Sequence, residues 1–551
     1  MYDKKGKNFA VEKLNQALRD AIKALGVEDN DSVFEMPRKE GWGDRASTAA
    51  MKLAKVLKAK PMDIAQKIAA NLDSEYISKI ETVGSGFVNV FLNEKFYADV
   101  VEDALNQSNN YGAVNLGNNK RVQVEFVSAN PTGPLHIGHG RGAALGDSVA
   151  RILEFTGWDV QREYYVNDSG LQIETLGRST QARYLELLGK ESHFPENGYK
   201  GEYLYDIARE IIKLEGDKFA NVPEAESLDY FKKYAADTIM TGIKSDLEKF
   251  RVRFDKFFPE GYLHANGLVK SAMEDLKARG YAYEQDGALW FKTEDTIGDD
   301  KDRVLIRANG IPTYFASDIA YHRNKFITRG FERVIDVWGA DHHGYIARVK
   351  AAIKAMGKNP DDFDVLLIQL VNLIREGKSV NMSTRAGEFV TLSEVLEETG
   401  TDAARFFLLM RKSDSKLDFD LDLAKKQGNE NPVYYVQYAH ARVCGLVREY
   451  EKRDDKQEQT SNSLYNEKEA RELANQIALF PDEIRAASDG LAPHILTSYA
   501  MSLAGAFHSF YNSNRIIDAE DSQARVNLSK AAGLVVRKCL ELIGVSAPER
   551  M

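Results

Sequence analysis

Two histidines, His136 and His139, stand three residues apart in the run N-P-T-G-P-L-H-I-G-H-G at 130–140, between a strand-like apolar run at 122–127 and a helix-like run at 142–153. A strand, a turn and a helix start make a phosphate site, because the first-turn amide N–H groups have no intrahelical partner and carry the positive end of the helix dipole. Such a terminus favours an anion by roughly 0.3–1 kcal/mol. At spacing i, i+3 two imidazoles lie on one helix face and can hydrogen-bond phosphate oxygens as charge moves during a displacement. Taken alone, H-x-x-H reads equally as a metal pair or as surface histidines. Glycines and prolines on both sides of the pair, with the strand before it, turn the reading toward nucleotide binding: Gly138 and Gly140 allow close backbone approach, and Pro131 and Pro134 fix the turn.

A second polar loop, R-E-G-K-S-V-N-M-S-T-R-A-G at 375–387, follows an apolar run at 365–373. Two familiar nucleotide fingerprints fail. Gly140, Gly142 and Gly146 miss the dinucleotide-binding spacing, and Gly377-Lys378-Ser379 lacks the upstream glycine of a P-loop, because position 372 is Asn.

The elements that must position these loops are legible as a pattern. Apolar runs at 122–127, 160–166, 334–337 and 365–373 alternate with helical stretches and predict an α/β, Rossmann-like, doubly wound parallel sheet with ligands at the carboxyl ends of its strands. The stretch at about 175–300 is too long for one crossover and is expected to be an inserted subdomain. Residues 1–112 read as a small α+β unit that closes on a strand at 84–92, with the polar run at 106–120 as a linker. Past 390 strand signals fade and helical periodicity takes over, clearest at 431–450 and 531–543, so a C-terminal helical bundle is expected, interrupted by a polar loop at 452–463. The expected domains are therefore 1–112, 113–390 and 391–551.

At 551 residues the chain is long enough for several domains, each with its own core. Charged residues make up 28 % and no apolar run approaches the roughly 18 residues of a membrane span, so no membrane is expected. The first residues, M-Y-D-K-K-G, lack an apolar signal core. Only Cys444 and Cys539 occur, far apart and in helical contexts, which argues against a disulfide framework or a cysteine-ligated zinc and suits a reducing cytoplasm. The formal charge of −10 does not forbid a local polyanion site. Lys52, Lys55, Lys58, Lys60 and Lys67 interleave with apolar residues in what reads as one amphipathic helix, whose plain meaning is a solvated face.

The two signatures, P-L-H-I-G-H-G and, some 240 residues on, N-M-S-T-R, resemble the H-I-G-H and K-M-S-K-S pair that brackets ATP in class I aminoacyl-tRNA synthetases. V-E-F-V-S-A-N-P-T-G-P at 124–134, F-D-K-F-F-P-E at 254–260, Y-F-A-S-D at 314–318, N-P-V-Y-Y-V-Q-Y-A-H-A-R at 431–442 and the ending L-I-G-V-S-A-P-E-R-M resemble blocks of the arginyl-tRNA synthetases, nearly end to end. The resemblance implies ATP with Mg²⁺ as substrate complex, L-arginine and tRNA(Arg) as further substrates, no resident metal or organic cofactor, and a monomer.

It also implies site roles. Glu260, Tyr314 and Asp318 would contact the arginine side chain, while Glu125, Asn130 and His136 hold its amino-acid end. A guanidinium asks for carboxylates placed for forked hydrogen bonds, although Glu260 or Asp318 taken singly reads as an ordinary exposed acid. His136, His139, Gly138, Gly140, Met382 and Ser383 would serve ATP. Asp341 and His343 would line the same cleft, with a helix-cap reading equally open. Asn381 and Thr384 replace the two lysines of the K-M-S-K-S pattern, so Lys378 and Arg385 are expected to supply the missing charge. For the tRNA, the N-terminal unit would meet the D-loop near Asn89 and the bundle the anticodon loop, with Tyr434, Tyr435 and Tyr438 as stacking candidates of which helical spacing places at least one in the core. A ligase of some other small acid, or a non-catalytic RNA-binding relative, would share the first signature but not the whole set.

Overall fold

A computed structural model describes residues 6–37, 39, 41–380, 389–453 and 462–551. The N-terminal unit carries α1 (Phe9–Lys23), β1 (Arg45–Ser47), α2 (Ala49–Leu57), α3 (Pro61–Asn71), β2 (Ile77–Val83), β3 (Phe87–Leu92) and α4 (Glu94–Gln107), with β3 in the middle of an antiparallel sheet. The lysine-rich segment is two helices and not one. Lys58 adopts a left-handed conformation and Pro61 opens the next helix, so the chain turns between them, and all five lysines stay exposed.

The central sheet is parallel throughout, in the order β11–β10–β4–β5–β6, from β4 (Arg121–Glu125), β5 (Asp159–Val166), β6 (Lys256–Pro259), β10 (Arg333–Gly339) and β11 (Phe363–Ile368). β4 lies in the middle, its Val122 and Val124 wholly buried, as expected of a strand covered on both faces. α5 (Ile137–Phe155) makes the first crossover. The expected single insertion is divided by β6, which returns the chain to the main sheet. Before it come three helices, α6 (Leu171–Leu187), α7 (Tyr203–Glu215) and α8 (Glu224–Lys249). After it come α9 (Gly261–Ala265), α10 (Leu268–Ala278), the antiparallel strands β7 (Ala282–Gln285), β8 (Ala288–Phe291) and β9 (Arg303–Ile306), and α11 (Thr293–Ile297). Helix α12 (Tyr314–Arg323) then runs into one π-helical turn, Asn324–Thr328, and α13 (Ile346–Ala355) follows β10.

The run expected as one strand at 365–373 is two, because the chain leaves the parallel sheet at β11 and begins β12 (Val371–Arg375) in another. That sheet pairs β12 with β13 (Lys378–Ser379) and with β14 (Leu417–Asp420), a strand past residue 390 that the helical periodicity concealed. Helices α14 (Leu392–Thr399), α15 (Thr401–Leu409) and α16 (Leu421–Lys425) pack on this sheet and on α5. The bundle proper consists of α17 (Pro432–Glu451), α18 (Lys468–Asp489), α19 (His494–Ser513) and α20 (Ser522–Leu542), and α18 and α20 also pack on α4 of the N-terminal unit.

Candidate active site

The two signature histidines build the start of α5. His136 is its N-cap: its Nδ1 accepts from the amides of Gly138 (3.1 Å) and His139 (3.4 Å), and His139 Nδ1 accepts from the amide of His136 (3.3 Å). This is a capping box made from two imidazoles, with the rings stacked 3.7 Å apart. Because both Nδ1 atoms accept, a neutral ring must carry its proton on Nε2, and both Nε2–H groups are left to donate outward. Burial keeps the rings neutral: it lowers the pKa of His136 and brings that of His139 down to about 3. Gly138 has its reason in the same motif, since a Cβ there would lie 2.9 Å from His136 Cε1.

The loop from β4 to α5 is clamped from three sides. Tyr164 Oη donates to Ala129 O (2.7 Å), Tyr203 Oη to Thr132 O (2.6 Å), and the amide of Tyr165 to Ser128 Oγ (3.0 Å). Val127 and Ser128 adopt φ of 66° and 39°, and a β-branched residue with positive φ is costly. Asn130 Nδ2 donates to Gln172 Oε1 at 2.5 Å.

At the carboxyl end of the central strands three carboxylates stand side by side, since Asp336 of β10 is in register with Glu125 of β4, and Glu125 with Glu163 of β5. Two cations from the end of α12 and its π turn serve the three acids, Lys325 shared by two of them, and burial still raises the Glu125 carboxyl. Lys325, wholly buried, donates to Glu125 Oε2 (2.6 Å) and Asp336 Oδ1 (2.9 Å), and Arg329 forks onto Glu163, which also accepts from Tyr321 Oη at 2.6 Å. Burial raises Asp336, but Lys325 and His322 hold it below the ordinary carboxylate range. The ring nitrogens of His322 reach Asp318 O (2.8 Å) and Asp336 Oδ2 (3.2 Å), tying the row to the next layer of the site.

That layer has acids and, among the described residues, no Arg or Lys against them, with the His264 imidazole 4.0 Å from Glu260 Oε1. Glu260, 5 % exposed, follows β6, where Asn167 Nδ2 donates to its Oε2 at 3.0 Å. Its pKa is pushed up to about 7 by burial and by the charges of Asp318 and Asp168, against the hydrogen bond from Tyr165. Asp318, half-buried on α12, accepts from Tyr345 Oη at 2.5 Å, yet burial still raises its pKa. A pocket that raises its own acids is short of a positive partner, and a guanidinium fits that deficit. Tyr314, one turn before Asp318, is 65 % exposed at the mouth.

The remaining expected residues fall in different places. Asp341 and His343 are exposed on a 3₁₀ turn after β10. Lys378 is exposed on β13. Met382, Ser383 and Arg385 lie outside the described residues. Tyr434, Tyr435 and Tyr438 are all half-buried, so none is a fully buried core residue; Tyr434 stacks on Tyr438, and Arg442 lies 4.6 Å over the Tyr438 ring. Asn89 requires correction. It is wholly buried in the middle strand β3, with neither amide atom partnered among the described residues, and so it is not on a surface that meets RNA. Tyr165, Asn167, Asp168, Lys325 and Tyr345 were not anticipated. Each is ordinary in its sequence context, and no local signal marks it.

A parallel sheet with a capped histidine pair at the head of its first crossover helix, and acids at the carboxyl ends of its strands, belongs with the class I aminoacyl-tRNA synthetases, and the family comparison places it there. Residues 100–436 match the family described as tRNA synthetases class I (R), catalytic domain. Residues 12–92 match the arginyl tRNA synthetase N-terminal domain and 436–551 the DALR anticodon binding domain. The chain is 48 % identical to the arginine–tRNA ligase of Citrifermentans bemidjiense over 94 % of each chain, and 46 % identical to that of Caldanaerobacter subterraneus subsp. tengcongensis over 99 % of this chain and 98 % of the relative. Its fold matches a crystal structure of a putative arginyl-tRNA synthetase from Campylobacter jejuni with a TM-score of 0.76 at 34 % identity, covering 84 % of this chain and all of the other. The chain belongs to the arginine–tRNA ligases.

Proposed function

We propose that this chain activates L-arginine with ATP and transfers it to the 3′ end of tRNA(Arg), with Glu260 and Asp318 receiving the guanidinium. The observation that carries the reading is the pair of acids, Glu260 and Asp318, without an Arg or Lys partner among the described residues, beside a row in which every acid touches a cation. A carboxylate oxygen of arginine attacks the α-phosphorus of ATP, the bond to the β-phosphate oxygen breaks, and pyrophosphate leaves. A terminal ribose hydroxyl of the tRNA then attacks the arginyl carbonyl and AMP leaves. The nucleophile is already ionised at neutral pH, so positioning and charge stabilisation carry the first step.

The Nε2–H donors of His136 and His139 serve the phosphates, and the backbone at Gly138 and Gly140 borders the nucleotide. Mg²⁺ enters on the ATP phosphates as part of the substrate. Glu125, Asn130 and His136 hold the amino-acid end, Tyr314 covers the side chain, and Asp341 and His343 border the nucleotide. Lys378 supports the leaving pyrophosphate, and with it Arg385, Met382 and Ser383. The DALR region takes the anticodon loop, where the exposed edges of Tyr434 and Tyr438 offer stacking faces, with Tyr435 behind them. The enzyme works as a cytoplasmic monomer, which accords with two unpaired cysteines, one of them buried.

The test is to incubate the purified chain with ATP, Mg²⁺, total tRNA and the twenty amino acids, and to identify by mass the amino acid esterified to tRNA. Arginine alone is expected. Another amino acid would overturn the roles given to Glu260 and Asp318.

A further inference from the structure

Arg141 stands two residues after His139, on the first turns of α5, and is 1 % exposed. Among the described residues no carboxylate is in ion-pair contact with it, although the charge of Asp414 favours its ionised form. Its guanidinium spends its donors on three backbone carbonyls, Nη1 on Gln369 O and Ser415 O and Nη2 on Lys412 O, each at 2.8 Å. These carbonyls lie where the chain enters two paired strands: Gln369 precedes β12, and 412–415 precedes β14. β12 turns at Glu376 and Gly377 into β13, after which the second signature begins at Asn381.

On the far side of that signature the chain returns to the same helix start. The amide of Leu392 donates to Leu135 O at 2.7 Å, Thr391 bridges to His136, and the Phe389 ring stands edge-on to the His136 ring. Leu392 Cδ1 lies 2.7 Å from where a Cβ on Gly140 would be, so glycine lets Leu392 pack here without shifting its side chain. Both flanks of the second signature are thus fastened to residues 135–141.

From this two-point attachment we infer that Arg141 is a positioning residue that sets the spacing between the histidine pair and the β12–β13 hairpin, and so serves ATP without touching it. A planar fork reaching three carbonyls at once is a task that a lysine ammonium cannot repeat. The inference rests on the proposed reaction, and its consequence is one-sided: the ATP side of the site depends on Arg141, while the arginine pocket on β5, β6 and α12 does not. A displacement of the order of 1 Å between reacting groups can cost about 10²-fold in rate.

The experiment measures Arg141→Lys and Arg141→Met beside the wild-type chain. It reads arginylation kcat, KM for ATP, arginine Kd by calorimetry, and melting midpoint. Expected are a loss of roughly 10–100-fold in kcat in both variants and a raised KM for ATP, with arginine Kd within about twofold of wild type. Should Arg141→Met fail to fold, Arg141→Lys carries the test, because it keeps the charge. Unchanged kcat would overturn the inference, as would arginine Kd and ATP KM worsening together with a lowered midpoint, which marks a merely structural residue. Wild-type chain that charges no arginine would instead refute the proposed function, and the effect on affinity for a non-hydrolysable ATP analogue would then decide the role of Arg141.

Discussion

Arginine affinity should rise with pH across neutrality, because the pocket cannot keep Glu260 ionised until its ligand arrives. In the free protein burial, Asp318 and Asp168 bring the Glu260 carboxyl up to about 7. A guanidinium stays charged at any accessible pH and favours the ionised acid through forked hydrogen bonds, so binding must expel the proton. The competent fraction with Glu260 ionised is about one in eleven at pH 6 and about ten in eleven at pH 8, and apparent affinity scales with that fraction. Arginine Kd should therefore fall about tenfold between pH 6 and pH 8, equivalent to about 1.4 kcal/mol. Asp318 is raised as well, by burial, so its contribution has the same sign and tenfold is a floor. His136 and His139 do not compete as the source, since both are lowered and His139 lies at about 3. Calorimetric titration of L-arginine at pH 6.5 in two buffers of different ionisation heat should show about 0.8 proton released per arginine bound. Glu260→Gln should bind weakly and without this pH dependence. A Kd that is flat from pH 6 to 8, or proton uptake on binding, would refute the account of the pocket.

Tyr345→Phe removes the donor that Asp318 accepts at 2.5 Å, and losing a hydrogen bond to a charged group costs about 1.5–3 kcal/mol; arginine Kd should weaken roughly 10–100-fold while affinity for an ATP analogue holds, as measured by calorimetry. His136→Asn keeps an acceptor near the Nδ1 position and loses the Nε2 donor, so helix capping and melting midpoint should survive while activation slows roughly 10²–10³-fold. His136→Gln should do the reverse to the cap, costing about 1 kcal/mol of stability, and equal effects of the two on the midpoint would contradict the capping-box assignment. Gly544→Ala places a Cβ 2.3 Å from Arg405 Cζ at a residue with φ of 69°, displacing a buried guanidinium that holds Asp147 at 2.6 Å; a loss of about 3–5 kcal/mol should appear as a lower urea midpoint, and an unmoved midpoint would show that the pair is dispensable.

What the sequence made legible was whatever repeats at short range. The strand–turn–helix around His136 and the parallel sheet follow from apolar runs and glycines that any chain must use there, and Glu260 and Asp318 were reached through resemblance. Resemblance placed Asn89 beside the RNA, and the fold shows why its side chain is not there. In F-V-N-V-F an alternating strand puts Asn89 on the face opposite Val88 and Val90, yet all three are wholly enclosed, so both faces of β3 are covered at this point. β14 was hidden because four residues flanked by charge make no periodic signal, and its pairing with β12 joins segments more than forty residues apart. Lys325 shows the same limit. Its partners, Glu125 and Asp336, are 200 and 11 residues away, and only strand register makes them neighbours.

The division of charge between the two layers explains why one pocket can be both stable and selective. In the row Asp336–Glu125–Glu163 each acid has a cation or a donor from α12 and its π turn, so the floor is complete before any ligand binds. Among the described residues Glu260 and Asp318 have Asn167, Tyr165 and Tyr345 as donors and the His264 imidazole 4.0 Å from Glu260, and the cost appears as a carboxyl held up at about 7. The sign of that cost is fixed. A carboxyl whose folded pKa is raised above its ordinary 4.5 contributes stability that is full below 4.5 and is lost as pH rises through 7, so at physiological pH the free pocket destabilises the fold locally. A forked cation of the right length reverses that loss. A shorter or neutral side chain leaves carboxylate oxygens unmatched, and sites that hydrogen-bond their substrate reject such analogues by about 10⁴–10⁵. Selectivity and local strain are thus the same electrostatic deficit, concentrated in the layer that meets the substrate and relieved by Lys325 and Arg329 in the layer that holds the sheet.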